Sequence, residues 1–338
     1  MTLLSIIVPF HDSAGKCGRL LSTLATIENA GVELVLVDDG STDGTALLLK
    51  QFERTAKAGA RLVFQENRGP GAARNAGCRA ASGEYVWFVD SDDDIRAEPV
   101  EFLENCGRRG FDFVDFDLLD RGEQRNTMGL PPGEYRNQGE VETLLGTRFG
   151  RMCTKLVRKD LIESKTLYFP EYCFYEDNLA EFTYPGAVST FCKSRIVGYI
   201  HHQEFSSITR RPLDGKYFDR LPVAEYGIRR VSIAKTGHIP PMYREKFTTL
   251  YLLNTVNQTL GRMPGSHWIS LMQLMKSYRK IARNLRLARL QLRAVPGSWK
   301  YKAVFTVLWC VSYILPRRSS YFERMHMRAW GRPIQFFE

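Results

Sequence analysis

The sequence predicts an α/β protein with a mostly parallel sheet flanked by helices, followed by a helical, basic C-terminal extension. Three observations carry this. Short apolar runs alternate with stretches of helical spacing over residues 3–100, the pattern of successive βαβ units. Polar, chemistry-bearing residues sit just after each apolar run, at the carboxyl ends of strands, where parallel sheets collect ligands. Charge is segregated. From residue 241 onward 17 Lys and Arg face three acids (Glu245, Glu323, Glu338), so this segment carries +14 of a net +10 and residues 1–240 are left at −4.

The elements follow in order. "LLSIIV", residues 3–8, is an apolar run closed by Pro9 and reads as a buried strand. "CGRLLSTLATIENAG" has helical spacing and ends on Gly31. "VELVLVDDGSTDGTALLLKQFERTAKAG" is strand, acidic turn and helix. "ARLVFQENRGPGAARNAGCRAASG" is strand, glycine-rich turn and helix, and "EYVWFVD" is a further strand. Pro9-Phe10, Asp38-Asp39, Asn67-Arg68 and Asp90–Asp94 therefore fall at strand ends and are expected to converge on one crevice. Between 110 and 200 the pattern loosens into mixed strands, loops and short helices, with "FPEYCFYEDNLAEFTY" as a loop running into a helix.

The chain's 338 residues suffice for a sizeable core, and 44% hydrophobic with 25% charged residues is ordinary for a globular protein. Seven scattered cysteines without a CxxC pair argue against a disulfide framework or zinc site and fit a reducing compartment. "MTLLSIIVPF" lacks the basic start of a signal peptide, so a cytoplasmic location is expected. Residues 1–240 are expected to form the catalytic domain, with 1–100 its ligand half and 101–240 its acceptor half, and 241–338 the basic helical region. Neither GxGxxG nor GxxxxGK[ST] occurs, against a Rossmann dinucleotide site and a P-loop.

"EYVWFVDSDDDI" runs an apolar strand into Asp90, Asp92, Asp93 and Asp94. Carboxylates this close repel, so the loop is either solvated or shared with positive charge. Asp90, Asp92, Asp94 and Glu101 have the spacing of an EF-hand loop, but Ile95 in place of its turn glycine and the strand before it argue against one. A hard-cation site fits, with Mg²⁺ or Mn²⁺ bridging a carboxylate and substrate phosphates. "VDDGSTDGT" offers carboxylates to a base or ribose, although Asp-Asp-Gly-Ser is also a plain turn. Gly69 and Gly71 permit close backbone approach, and Arg74 presents a donor fork.

In this order, "SIIVPFHD", "LVLVDDGSTDGT", "QENRGPGAARNAG" and "GEYVWFVDSDDDI" resemble the N-terminal half of family 2 glycosyltransferases with a GT-A fold. The resemblance implies that Asp38 or Asp39, Asn67, Arg74 and Asp90 hold the nucleotide, with Pro9, Phe10 and Ser91 grouped beside them at the strand ends. It implies Asp92 as the metal ligand, with Mn²⁺ or Mg²⁺ as the offsetting charge. "FYEDNLAEF" resembles the Glu-Asp step of inverting members, making Asp177, beside Glu176, the base that deprotonates an acceptor hydroxyl. The same two carboxylates also suit a helix N-terminus electrostatically. "YIHHQEFSSITRR" resembles a further segment of bacterial polysaccharide-type members, with His202 and Ser207 as diphosphate contacts. His11, His238, His267 and His326 stand alone and are assigned no role.

The expected activity is metal-dependent, inverting transfer of a sugar from a nucleotide-sugar, a UDP-sugar, to a hydroxyl of a lipid-linked or cell-surface glycan. A sugar-1-phosphate nucleotidyltransferase would want a denser basic, glycine-rich loop than "VPFHDSAGKCGR". Nucleic acid is not an expected partner, because the N-terminal part is acidic and no recognition motif occurs. "AVFTVLWCVSYIL", residues 303–315, is too short to span a bilayer. It is either a buried packing helix or, with its flanking aromatic and basic residues, a helix for an anionic membrane surface on the inner face of the cell membrane. On the second reading a chain ending near Val295 should remain folded and bind nucleotide.

Overall fold

The structure is a computed structural model that describes residues 2–106, 109–202, 215–234, 240–246 and 321–337. The chain divides into two compact units. The first comprises Met1–Tyr172, Thr183–Ser207 and Gln335–Glu338; the second comprises Cys173–Phe182 and Ile208–Ile334. The second unit thus takes in Cys173–Phe182 and resumes at Ile208, whereas the sequence boundary was expected at residue 240.

The predicted alternation is present at the start of the first unit: β1 (Leu4–Phe10), α1 (Gly18–Ala25), β2 (Val32–Asp39), α2 (Thr45–Glu53), β3 (Ala60–Gln65), α3 (Pro70–Ala80) and β4 (Tyr85–Phe88). There follow β5 (Asp94–Ile95), α4 (Glu98–Cys106), β6 (Phe113–Asp120), β7 (Glu123–Arg125), β8 (Gly133–Tyr135), α5 (Gln138–Arg148), β9 (Lys155–Arg158), α6 (Lys159–Ser164) and β10 (Phe191–His201). Helix α7 (Ala180–Thr183) precedes β10. One sheet runs in the order β3-β2-β1-β4-β9-β6-β10-β5, with β7 on β6 and β8 on β10.

The strands that carry the motifs are parallel: Phe10 lies opposite Asp38, Asp38 opposite Phe64 and Asp39 opposite Gln65, while Ile7 lies opposite Phe88. This register brings their carboxyl ends to one edge. Beyond β4 the sheet is mixed, since β9 runs antiparallel between β4 and β6. Parallel pairing thus covers β1–β4 and returns between β6 and β10, while β5, β7, β8 and β9 pair antiparallel. Apolar faces of both sides are buried, with Leu4, Ile6, Val8, Leu34, Leu36, Tyr85 and Trp87 wholly inside, as a sheet covered by helices requires.

The second half of the sheet buries charge, which breaks the apolar pattern expected of interior strands. Lys155, fully buried, donates to Asp115 Oδ1 at 2.8 Å, and Lys193 reaches Asp115 Oδ2 at 3.2 Å and Asp117 Oδ1 at 2.5 Å. Thr154 Oγ1 donates to the same Asp115 at 2.8 Å. Two ammonium groups thus share two carboxylates, which offsets their desolvation.

The chain's end also belongs to this unit. Glu171 and Gln335 exchange main-chain hydrogen bonds of 2.9 and 3.1 Å, and the Phe337 ring lies 5.8 Å from that of Tyr168. A chain ending near Val295 would lack this pairing.

In the second unit, α8 (Arg220–Ala234) buries Leu221, Val223, Ala224 and Ile228. It approaches Phe182 so closely that a Cβ on Gly227 would lie 2.7 Å from the ring. Tyr243 of α9 (Pro241–Lys246) packs on Phe182 at 6.1 Å. The remaining helix described is α10 (Tyr321–Trp330). Among the described residues no helix is long and apolar enough to cross a membrane. Ser207, His238, His267 and the tail stretches 276–293 and 303–315 lie outside the described residues.

Candidate active site

Asp39 ends β2 and organises the next strand's loop. Its Oδ1 accepts from Gln65 Nε2 at 2.6 Å and from the Arg68 N–H at 2.9 Å, and its Oδ2 accepts from the Gly69 N–H at 2.8 Å. Burial pushes this carboxyl up, and the N–H donors pull it back. Gly69 sits at φ +90°, a conformation glycine adopts without strain. Gly40 lets the same loop come close, since a Cβ there would lie 2.7 Å from the Asn67 nitrogen. Asp38 is less occupied. Its Oδ1 accepts the Ser41 N–H at 3.0 Å, and Oδ2 makes no hydrogen bond among the described residues. By sequence Asp38 and Asp39 are interchangeable; the geometry separates an anchor, Asp39, from a carboxylate with capacity for a ligand, Asp38.

His11, assigned no role from sequence, lies between these segments. Its Nδ1 faces the Asp39 carbonyl at 2.9 Å, which can only accept, so Nδ1 carries the hydrogen and Nε2 accepts from the Asn67 amide at 3.1 Å. Its position just past the β1 strand end was the available signal. Phe10 is a core side chain, 1% exposed, so what it brings to the strand end is backbone; Pro9 is half-buried.

Arg74, on α3, donates to Asp90 Oδ1 at 2.8 Å and lies 5.6 Å from the Phe169 ring centre. Phe169 is in turn pinned by Asn75, whose side chain exchanges hydrogen bonds of 2.8 and 2.9 Å with its backbone. Ser91 turns its hydroxyl to Ser13 at 3.1 Å, tying the acidic loop to the end of β1. Arg68 pairs with the buried Glu171, and its carbonyl accepts the Tyr172 N–H at 2.6 Å.

The repulsion within the acidic loop is met by protein groups. Asp90 has Arg74; Asp92 Oδ2 has the Lys16 ammonium at 3.8 Å; Asp94 Oδ1 accepts the Ile95 N–H at 2.9 Å. Asp93, to which the sequence assigns no role, is buried between Tyr199 Oη at 2.6 Å and the His202 N–H at 2.8 Å. Burial, reinforced by the Asp90 charge, pushes its carboxyl up to about 8. Tyr199 also accepts the Asp90 N–H at 3.2 Å, so β10 holds the loop from below. His202 thus meets the acidic loop through its backbone. Its neighbour His201 pairs separately with Asp120 at 3.0 Å.

Among the described residues no three His, Cys, Asp or Glu converge as a metal centre. The side chains nevertheless fit a hard cation. Asp92 offers carboxylate oxygen, is partly exposed, and already faces positive charge in Lys16. Mg²⁺-type ions are commonly held by one or two carboxylates, with substrate phosphates completing the shell.

Glu176 and Asp177 fall in the second unit, on a 3-10 turn (Glu176–Leu179) that leads into α7, with Glu176 buried. Tyr175 before it has φ +59°, unusual for a bulky residue.

Carboxylates, an amide and a guanidinium gather at the carboxyl ends of parallel strands, where α/β sheets collect ligands. Known proteins agree. The family described as glycosyl transferase family 2 matches residues 5–163. An uncharacterised glycosyltransferase of Haemophilus influenzae is 34% identical over 194 residues, covering 54% of this chain and 73% of that protein. The poly(ribitol-phosphate) beta-N-acetylglucosaminyltransferase TarS of Staphylococcus aureus is 31% identical over 179 residues, covering 51% of this chain and 30% of TarS. The crystal structure of S. aureus TarS 1–349 with UDP-GlcNAc superposes with a TM-score of 0.64 at 19% identity, covering all of this chain and 93% of that one. The chain belongs to glycosyltransferase family 2. It spans less than a third of the length of the first curated relatives it matches.

Proposed function

We propose that this chain transfers a sugar from a nucleotide-sugar donor, a UDP-sugar, to a hydroxyl group of a glycan, with inversion at the anomeric carbon. The observation that carries the reading is the convergence of Asp38, Asn67, Arg74, Asp90 and Asp92 at one edge of the sheet. Asp38 and Asn67 suit the polar edge of a base or ribose, and Arg74, held by Asp90, suits a base or a phosphate. His202 and Ser207 are assigned to the diphosphate. Asp92 would hold Mn²⁺ or Mg²⁺, which when bound supplies positive charge against the departing diphosphate. Asp177 takes the proton from the attacking hydroxyl, with Glu176 beside it. Related proteins support the donor and acceptor classes: TarS is named for N-acetylglucosaminyl transfer to poly(ribitol-phosphate) and was crystallised with UDP-GlcNAc. The acceptor is assigned as a cell-envelope glycan or glycolipid. The +14 balance from residue 241 supports an anionic membrane surface on the cytoplasmic side as a partner.

The test is release of UDP from UDP-sugars with and without Mn²⁺, coupled to the anomeric configuration of the product. A retained configuration would reject single displacement. Lack of turnover with every UDP-sugar, together with binding of a different nucleotide, would reassign the donor.

A further inference from the structure

Within the second unit, the turn that carries Glu176-Asp177 is entered through a strained residue. Tyr175 has φ +59°, while its carbonyl accepts the Asn178 N–H at 3.2 Å. A bulky residue keeps such a conformation only where its surroundings impose it. The chain immediately before it is held by a buried acid. Asp219 Oδ2 accepts the Phe174 N–H at 3.1 Å and the Trp330 indole N–H at 3.3 Å. The other oxygen, Oδ1, meets His326 Nδ1 at 2.7 Å.

His326 closes the arrangement from α10. Its Nε2 lies 2.9 Å from the Arg332 carbonyl, which can only accept, so Nε2 carries a hydrogen. A neutral ring would then point a bare Nδ1 at a carboxylate, two acceptors 2.7 Å apart. A further proton therefore lies between Nδ1 and Oδ1, and the two side chains are hydrogen-bonded. Both partners are sheltered, with Asp219 2% and His326 8% exposed. Rings reinforce the clamp: Phe174 lies 5.3 Å from Trp330, and Tyr175 stands edge-on to Tyr217 at 5.5 Å. Arg220 donates to the Tyr217 hydroxyl at 2.7 Å and lies 5.8 Å from the Tyr175 ring.

We propose that Asp219 and His326 are positioning residues for the reaction: Asp219, oriented by His326, grips the Phe174 N–H and so sets the turn that presents Asp177. The proposal rests on the reading of Asp177 as the base. Both act through the turn and are assigned no contact with substrate. Displacement of a reacting group by about 1 Å can cost about 10²-fold in rate, so a loosened turn should act on turnover.

The experiment compares His326→Asn, His326→Gln, Asp219→Asn and the milder Trp330→Phe with Asp177→Asn in the full chain. Transfer kcat, KM for both substrates, UDP affinity and melting temperature are measured for each. An Asn side chain can place its amide near the Nδ1 position, whereas Gln reaches towards the Nε2 position. His326→Asn should therefore retain more kcat than His326→Gln, which should lose about 10–100-fold with UDP affinity unchanged. Trp330→Phe, which keeps a ring and removes one N–H, should lose a smaller factor in the same parameter. Wild-type kcat in His326→Gln and Trp330→Phe alongside an inactive Asp177→Asn would overturn the proposal. So would loss of UDP affinity and melting temperature in proportion to kcat across the series, since that marks general support of the fold. Full turnover in Asp177→Asn would overturn the base assignment and the proposal with it, and is recognised by the variant in which it occurs.

Discussion

Replacing the two neighbouring carboxylates of β2 one at a time should separate anchoring from nucleotide binding. In Asp39→Asn one oxygen remains for Gln65 and Arg68, but the new amide faces the Gly69 N–H, which Oδ2 now accepts at 2.8 Å. A buried N–H left facing a donor costs about 1–3 kcal/mol. With about 2 kcal/mol lost, the melting temperature should fall by about 4–8 °C for a domain of this size. Asp39→Ala removes an acceptor from all three donors, leaving Gly69 only its 3.2 Å contact to Asn67 Oδ1, and should cost about 4 kcal/mol, the bonds being charge-assisted and not fully additive. Asp38→Asn keeps an oxygen for Ser41, its side-chain partner among the described residues, and should change stability by no more than about 0.5 kcal/mol. It removes a charged acceptor from the crevice, worth about 1.5–3 kcal/mol, so UDP affinity should fall about 10–100-fold. Thermal unfolding and calorimetric titration with UDP measure both quantities on the same preparations. Asp39→Asn melting like wild type, or Asp38→Asn binding UDP normally, would refute the division of labour.

Four further outcomes are expected. Asp92→Asn should fold normally, since it removes one of several crowded carboxylates, yet lose Mn²⁺-stimulated UDP release; wild-type turnover in excess EDTA would contradict the metal role. Asp177→Asn should lower transfer by about 10²–10⁴-fold with donor binding intact, read by single-turnover kinetics. Asp115→Ala leaves Lys155 and Lys193 buried with reduced compensation and should cost about 3–5 kcal/mol in urea denaturation, whereas a loss under about 1 kcal/mol would mean the network relaxes or is wetted. Gln335→Pro deletes the N–H that bonds Glu171 and should lower stability by about 1–3 kcal/mol, and an unchanged unfolding midpoint would show that the C-terminal pairing is dispensable.

The sequence by itself determined β1 to β4, the helices between them and the strand-end motifs, because period, punctuation and order are local properties of the chain. Residues 155–158 and 191–201 were not legible as strands of the same sheet. Their pattern is broken by Lys155 and Lys193, charges buried only because Asp115 and Asp117 come to meet them from β6. The candidate site divides in the same way. Asp38, Asn67, Arg74, Asp90 and Asp92 could be named from motifs. Only the tertiary structure decided that Asp39 is spent on its own loop, that Asp93 is a buried acid held by Tyr199, and that His11 joins two segments. His326 shows the limit most plainly. An isolated histidine 107 residues from Asp219 carries no local signal, and its partnership arises when folding buries both within hydrogen-bonding distance.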